Sequence, residues 1–544
     1  MEFNFDLGID DQAQFVRETR QFNVGDLLRK AVRKYGDRTA IAEPGREVTY
    51  RELNERVNGL TNALLDRGCA PEAATVAVLA ENRGEVAEVM YAGAKGGWLV
   101  PALNWRLNRE ELVHCVDLVE PDILIVSEQY RDKLAWLDAD AESDPEYVFL
   151  DDPDDDELDY EDLVAAGATT EPLPDRRIDP EQGLVVLNTS GTTGLPKAVV
   201  ISHRCWLARA YKNIIDFGLE EHDDQLIWPP MFHMISADFI PTIATLGGTY
   251  YPMDSFDVER VYDILTSEGS PIAWMVLLPG VVEQFLDYAE EHDIGRDDIR
   301  ELRNIGALVD LVDPKKVERV TKKFDMPFKN SYGATENDNA LSGGHDVPVG
   351  VRPGQEEYRK VESSFIDMKL IDEDWNDIDG NHGELAVRGP SVCSGYIKNP
   401  EANREDFNNG WFRTGDIFRR HDDGTYSFLN RRKYLIKSGG ENIYPAELEE
   451  VLISHELVED AITVRVPDEK WGEVPRAVVS TNHPEDLEKD ELMALLRDRL
   501  AGYKLPHYID IVAPGELPRS ATGKLVREDI EEWELDDEER VREV

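Results

Sequence analysis

Two short apolar runs, TVAVLA at 75–80 and DILIVS at 122–127, constrain this chain more than any other feature. Each is too short for a helix and apolar at consecutive rather than alternate positions. That is the pattern of a strand buried on both faces of a parallel sheet. Between them RGEVAEVMYAGAKGG carries apolar residues at helical spacing. NVGDLLRKAVRKYG and TYRELNERVNGLTNALLDRG upstream do the same, the second with Gly68 placed as a C-cap. Parallel strands need crossover connections, so the spacing predicts an α/β architecture with mostly parallel sheets covered by helices.

The acid-rich stretch 150–163 reads as a solvated surface excursion. The alternation then resumes through GLVVLNTS, QLIWPPMFHM, IAWMVLLPG, LRNIGALVD and FKNSYG. From about residue 365 it gives way to short strands between Gly and Asp turns, a β-rich subdomain. Beyond Arg431 lies a small α+β unit of roughly a hundred residues, the size of a separate domain. The expected organisation is a large N-terminal domain, 1–431, and a C-terminal domain, 432–544.

Charge narrows the partners. With 59 Lys+Arg against 111 Asp+Glu, the chain carries a formal charge of −52. Such a surface repels nucleic acid and anionic membrane. The acid is spread along the whole chain, as suits a salt-rich cytosol where self-repulsion is screened; the other reading is a surface for a basic partner. No apolar run is long enough to span a bilayer, and residues 1–25 lack a basic segment followed by an apolar one. The expected location is cytoplasmic. Cys69, Cys115, Cys205 and Cys393 are far apart, which suits reduced thiols and not a zinc site.

The stretch LNTSGTTGLPKAVVISH (187–203) gathers Thr189, Ser190, Gly191, Thr192, Thr193, Gly194 and Lys197. The composition is that of a phosphate loop, but Gly191 and Gly194 are too close together for a Walker A motif, and Ala198 stands where a metal-binding hydroxyl belongs. It lies between two apolar strands, so its anion affinity must come from backbone N–H groups, hydroxyls and the lysine. NSYGATEN (330–337) offers Thr335 for a phosphate oxygen and Glu336 for Mg²⁺. GWFRTGD (410–416) sets Asp416 after a tight turn, where a carboxylate can take both hydroxyls of a ribose. NRRKYLIKSGGENIYPAELE (430–449) and PRSATGKLVRED (518–529) add a basic run, a Gly-Gly turn and Lys524. Taken singly, each of these could be an ordinary polar turn, linker or surface residue.

In this order and spacing the five segments resemble the adenylate-forming superfamily of acyl-CoA synthetases, luciferases and peptide-synthetase adenylation domains. The resemblance runs from TYRELNERVNGL to TGKLVRED. It implies a mobile C-terminal lid and a two-step reaction: ATP and a carboxylate give an acyl-adenylate and pyrophosphate, then a thiol, here coenzyme A, displaces AMP. It also implies site residues. SGTTGLPK would close on the β- and γ-phosphates, Thr335 would meet the α-phosphate and Glu336 the Mg²⁺. Gly306, Ala307, Leu308 and Tyr332 would flank adenine, Asp416 and Arg431 would hold the ribose, and Gly333 and Phe428 complete the nucleotide set. Lys524 would bridge the carboxylate and the α-phosphate. Lys433 falls at the hinge, while Lys437, Gly439 and Gly440 serve the thioester-forming pose. His233, Trp274, Gly306, Gly333 and Ala334 would border the acyl group.

Departures from the family pattern fall in the adenine segment, IGALVD, in the hinge stretch, where Tyr434 replaces a common acidic residue and Asn430 a Gly or Asp, and between 340 and 371; none removes a catalytic group. KSGGENIYPAELE is typical of CoA ligases, and the apolar pocket segments suit a fatty or aryl acid. The alternatives are a stand-alone adenylation domain feeding a carrier protein, for which Asp238 is the one uncommitted acid near the pocket, and a binding scaffold without activity. The oligomeric state stays open, a homodimer among the options.

Overall fold

The computed structural model describes residues 8, 11–19, 21–151, 153–154, 157–173, 178–189, 195–267, 271–354, 356–438, 441–468, 470–519, 525–535 and 541. Its largest sheet has eight strands. In spatial order these are Gly395–Tyr396, Lys197–Ser202, Gly183–Thr189, Val100–Ala102, Val76–Leu79, Ile123–Val126, Glu146–Phe149 and Leu158–Asp159. The six from Gly183–Thr189 onward run parallel, and the other two are antiparallel to their neighbours.

The apolar runs are buried on both faces, as expected. Val76, Val78, Ile123 and Ile125 enter one hydrophobic core, while Ala77, Leu79, Leu124 and Val126 enter another. Helices Gly84–Gly96 and Arg109–Val119 make the crossovers. Capping boxes start the upstream helices, Asn23 with Asp26 on Val24–Tyr35 and Thr49 with Glu52 on Tyr50–Asp66. The second helix caps on Arg67, and Gly68 follows it at φ 100°.

A four-stranded sheet (Gln225–Ile227, Tyr250–Pro252, Thr39–Glu43, Arg46–Thr49) and a parallel pair (Trp274–Met275, Asn304–Ile305) complete the α/β part. The β-rich subdomain is an antiparallel sheet of five strands built around His382–Arg388 and Trp411–Arg420. The C-terminal unit has its own five-stranded sheet and its own core, including Ile436, Leu448, Ala477, Leu492 and Ile509. No helix among the described residues is long and apolar enough to cross a membrane.

Candidate active site

Strands Gly183–Thr189 and Lys197–Ser202 are antiparallel neighbours, with Thr189 opposite Lys197. The two strands therefore pair directly with each other. Ser190, Gly191, Thr192, Thr193 and Gly194 lie outside the described residues, as do Gly439, Gly440 and Lys524.

Lys197 Nζ lies 3.3 Å from Asp406 Oδ2 and 4.5 Å from the centroid of the Tyr396 ring. Tyr396 Oη donates to Glu336 Oε1 at 3.0 Å. The lysine and the glutamate thus meet across one tyrosine. Burial pushes the Glu336 carboxyl up, the Tyr396 hydroxyl and the Lys197 charge pull it down, and the neighbouring Asp406 pushes it up again. A carboxylate so placed is a hard oxygen donor whose charge a divalent cation would offset, so the donor set fits Mg²⁺. Tyr396 and Asp406 are absent from the sequence-derived site. Strand Gly395–Tyr396 pairs with Val200 and Val199 beside Lys197, and Asp406 ends helix Pro400–Asp406; neither has a motif of its own.

Thr335, Glu336 and Asn337 form the turn of a hairpin between strands Tyr332–Ala334 and Asp338–Leu341. The first three residues after Ser331, Tyr332–Ala334, form a strand within the motif itself. The turn is tied down from three sides. Asn337 Oδ1 accepts from Ala334 N at 2.9 Å, Glu336 O accepts from Cys393 N at 2.8 Å, and Thr335 O accepts from Arg209 Nη2 at 2.8 Å.

Asp416 and Arg431 sit opposite one another on strands Trp411–Arg420 and Tyr426–Arg431. Tyr332 Oη donates to Asp416 Oδ2, and the Tyr332 ring packs against Phe418 and Phe428. The five residues form one aromatic and charged wall. Gly306 takes φ 80° and Leu308 φ 51°, so the 306–308 segment turns through the left-handed region twice. A Cβ at Gly306 would lie 2.2 Å from Phe328 Cζ, which leaves room for glycine alone. Ala307 is buried in the main core, and Leu308 N donates to Ser331 Oγ at 3.5 Å.

Trp274 is buried in a cluster with Phe217 and Phe239 and donates from Nε1 to Gly306 O at 2.9 Å. His233 caps helix Met234–Ala237, its Nδ1 accepting from Ile235 N at 3.4 Å. Gly333 and Ala334 stand on the strand leading into the Thr335 turn, and a Cβ on Gly333 would reach Asp338 O at 2.3 Å. Asp238 Oδ2 is 3.2 Å from Arg209 Nη1, and both side chains are buried.

In the C-terminal unit, Glu528 Oε1 accepts from Lys433 Nζ at 2.5 Å and from Tyr434 Oη at 2.8 Å. The two donors hold the Glu528 carboxyl at about 2 against the opposing effect of partial burial. Lys437 is exposed, 3.8 Å from Glu373 Oε1.

The chain matches the AMP-binding enzyme family over residues 28–397 and the AMP-binding enzyme C-terminal domain over 447–524. It is similar to an indoleacetate–CoA ligase of Aromatoleum aromaticum, 31% identical over 91% of this chain and 94% of that protein. A 2-succinylbenzoate–CoA ligase of Bacillus cereus is 30% identical, over 91% and 95% respectively. Among solved structures it resembles a Mycobacterium tuberculosis fatty acyl CoA synthetase with a TM-score of 0.73 and 25% identity, covering 94% of this chain and 98% of that one.

Proposed function

We propose, from the premise that this chain belongs to the AMP-binding enzyme family, that it is an AMP-forming CoA ligase for an aryl carboxylic acid. The observation that carries the reading is the meeting of Lys197 and Glu336 across Tyr396. It joins a cation on the phosphate-loop hairpin to a carboxylate on the Thr335 turn.

In the first half-reaction a carboxylate oxygen of the substrate attacks the α-phosphorus of ATP. The bond to the bridging oxygen breaks, and its electron pair leaves with pyrophosphate. Lys197 and the hydroxyls of 189–193 would stabilise the charge developing on that leaving group, the kind of aimed donor that lowers such barriers. Thr335 would orient the α-phosphate, and Asp416 with Arg431 would hold the ribose. Tyr332, Gly333 and Phe428 with 306–308 would sandwich adenine. Lys524 would stand between the two anions that must approach. Mg²⁺, when bound, would be held by Glu336 and would supply charge neutralisation at the nucleotide phosphates. In the second half-reaction the CoA sulfur gives up its proton and bonds to the acyl carbon, and AMP departs. Lys437, Gly439 and Gly440 would face that step after the lid turns about Lys433, with the domain boundary at 431/432.

Two observations support an aryl acid over an amino acid. Two of the relatives are ligases of indoleacetate and 2-succinylbenzoate. Asp238, the acid that a substrate ammonium would need, is buried to 1% exposure and pairs through Oδ2 with Arg209. His233 and Trp274 would border the acyl group beside Gly306, Gly333 and Ala334. The charge of −52 supports a protein adapted to concentrated salt.

The test is a thioester assay in molar KCl with ATP, Mg²⁺, CoA and a panel of aryl, fatty and amino acids, products read by mass spectrometry. An aryl-CoA with AMP is the expected outcome. Carboxylate-dependent pyrophosphate exchange without any thioester would replace CoA by a carrier-protein acceptor.

A further inference from the structure

Helix His203–Phe217 leaves the strand that carries Lys197 and sends two buried cations under the Thr335–Glu336 turn. Arg209 divides its guanidinium three ways. Nη2 donates to Thr335 O at 2.8 Å, Nε to Ser391 O at 3.0 Å, and Nη1 to Asp238 Oδ2 at 3.2 Å. Lys212, one turn on, donates from Nζ to Asn339 O at 2.8 Å and lies 2.7 Å from Asp338 Oδ2. The side chains of Arg209, Lys212 and Asp338 are fully excluded from solvent. The two cations therefore reach the hairpin on either side of Glu336. The segment that Arg209 holds through Ser391 also ties Glu336 O, by way of Cys393 N.

Burying a guanidinium is costly, and a buried ion pair is often no more stable than an apolar pair of the same volume. Stability alone thus gives no reason for Arg209, nor for two of its donors being spent on main-chain carbonyls around the turn. Its rigid planar fork carries donors on three separate nitrogens, so it spans three acceptors set apart in fixed directions that the single nitrogen of an ammonium would have to reach from one point. We propose that Arg209, seconded by Lys212, is a positioning residue that sets the Thr335–Glu336 turn so that the Glu336 carboxylate is ready for the metal before the nucleotide arrives. The proposal rests on the reading of Glu336 as the Mg²⁺ ligand.

Arg209→Lys keeps a cation opposite Asp238 but loses the fork. Mn²⁺ serves as the probe: its binding to the ATP-loaded protein, without carboxylate and so without turnover, is followed by the electron paramagnetic resonance of the free ion. Pyrophosphate exchange against free Mg²⁺ and thermal melting accompany it. The expected result is a folded variant with at least tenfold weaker Mn²⁺ binding, a matching rise in half-saturating Mg²⁺, and an unchanged KM for the carboxylate. A folded variant with unaltered metal curves overturns the proposal. Arg209→Met with Asp238→Leu removes the charge pair as a unit; it carries the same reading should the lysine variant not fold. Glu336→Gln run in parallel separates the two claims. If it leaves the Mn²⁺ curve where it was, the assignment of Glu336 fails. If it weakens binding while folded Arg209 variants do not, only the positioning role fails.

Discussion

Asp416 and Arg431 face one another across two antiparallel strands, with Arg431 Nε 3.6 Å from Asp416 Oδ1 while Tyr332 Oη donates to the other carboxylate oxygen. The Asp416 side chain is 8% exposed and the Arg431 side chain about half exposed. The acid is thus pre-set by rigid neighbours, whereas the arginine keeps freedom to close on a ligand. Asp416→Asn should raise the KM for ATP by a factor of about 10–100, equivalent to the loss of about one to two charge-assisted hydrogen bonds. The KM for the carboxylate should stay within about twofold. Steady-state kinetics with each substrate varied in turn checks this.

Lys524 has the opposite signature. If it neutralises the two anions that must meet at the α-phosphorus, Lys524→Ala should abolish pyrophosphate exchange yet leave thioester formation from a supplied acyl-adenylate largely intact. Equal loss in both assays would remove it from the first half-reaction.

His203 makes stability depend on pH. Its Nδ1 accepts from Val24 N at 3.4 Å and its ring is wholly buried, which lowers its pKa to about 3. The unfolded chain takes up the proton near 6.5. The neutral ring therefore contributes stability that is fully present above 6.5 and declines as pH falls towards 3. Between pH 7 and 5 that loss amounts to about 2 kcal/mol. Denaturant melts of the native protein and of His203→Asn at the two pH values should differ in slope by about this much, with the variant flatter.

Salt should act on the whole chain. A net charge of −52 repels itself at low ionic strength, and the screening length falls from about 10 Å at 0.1 M to about 3 Å at 1 M. Melting temperature should climb with KCl well into the molar range, and dilution to about 0.1 M should lose secondary structure by circular dichroism. An unchanged melting temperature across that range would contradict the halophilic reading.

What was legible in the sequence was what repeats locally. TVAVLA and DILIVS have no polar face, so they had to be interior strands, and the helical spacing in NVGDLLRKAVRKYG and TYRELNERVNGLTNALLDRG marked two helices. Residues brought in by long-range pairing were not legible. Tyr396 and Asp406 join Lys197 only because a two-residue strand of one subdomain docks on the edge of another's sheet. Arg209 and Lys212 carry no local sign of their burial, since buried cations are rare and nothing nearby in the sequence announces their distant acceptors.

Gly306 carries a lesson for anyone wishing to re-tailor the enzyme. Resizing a substrate cavity commonly begins by replacing a lining glycine with something bulkier. At this position a new methyl group would strike the ring of Phe328, and the backbone conformation would resist it as well. With Gly306 bordering the acyl group as proposed, directed evolution of the acid range would be closed at 306 unless Phe328 shrinks with it. Libraries that randomise the two positions together should yield folded members where single-site libraries at 306 do not.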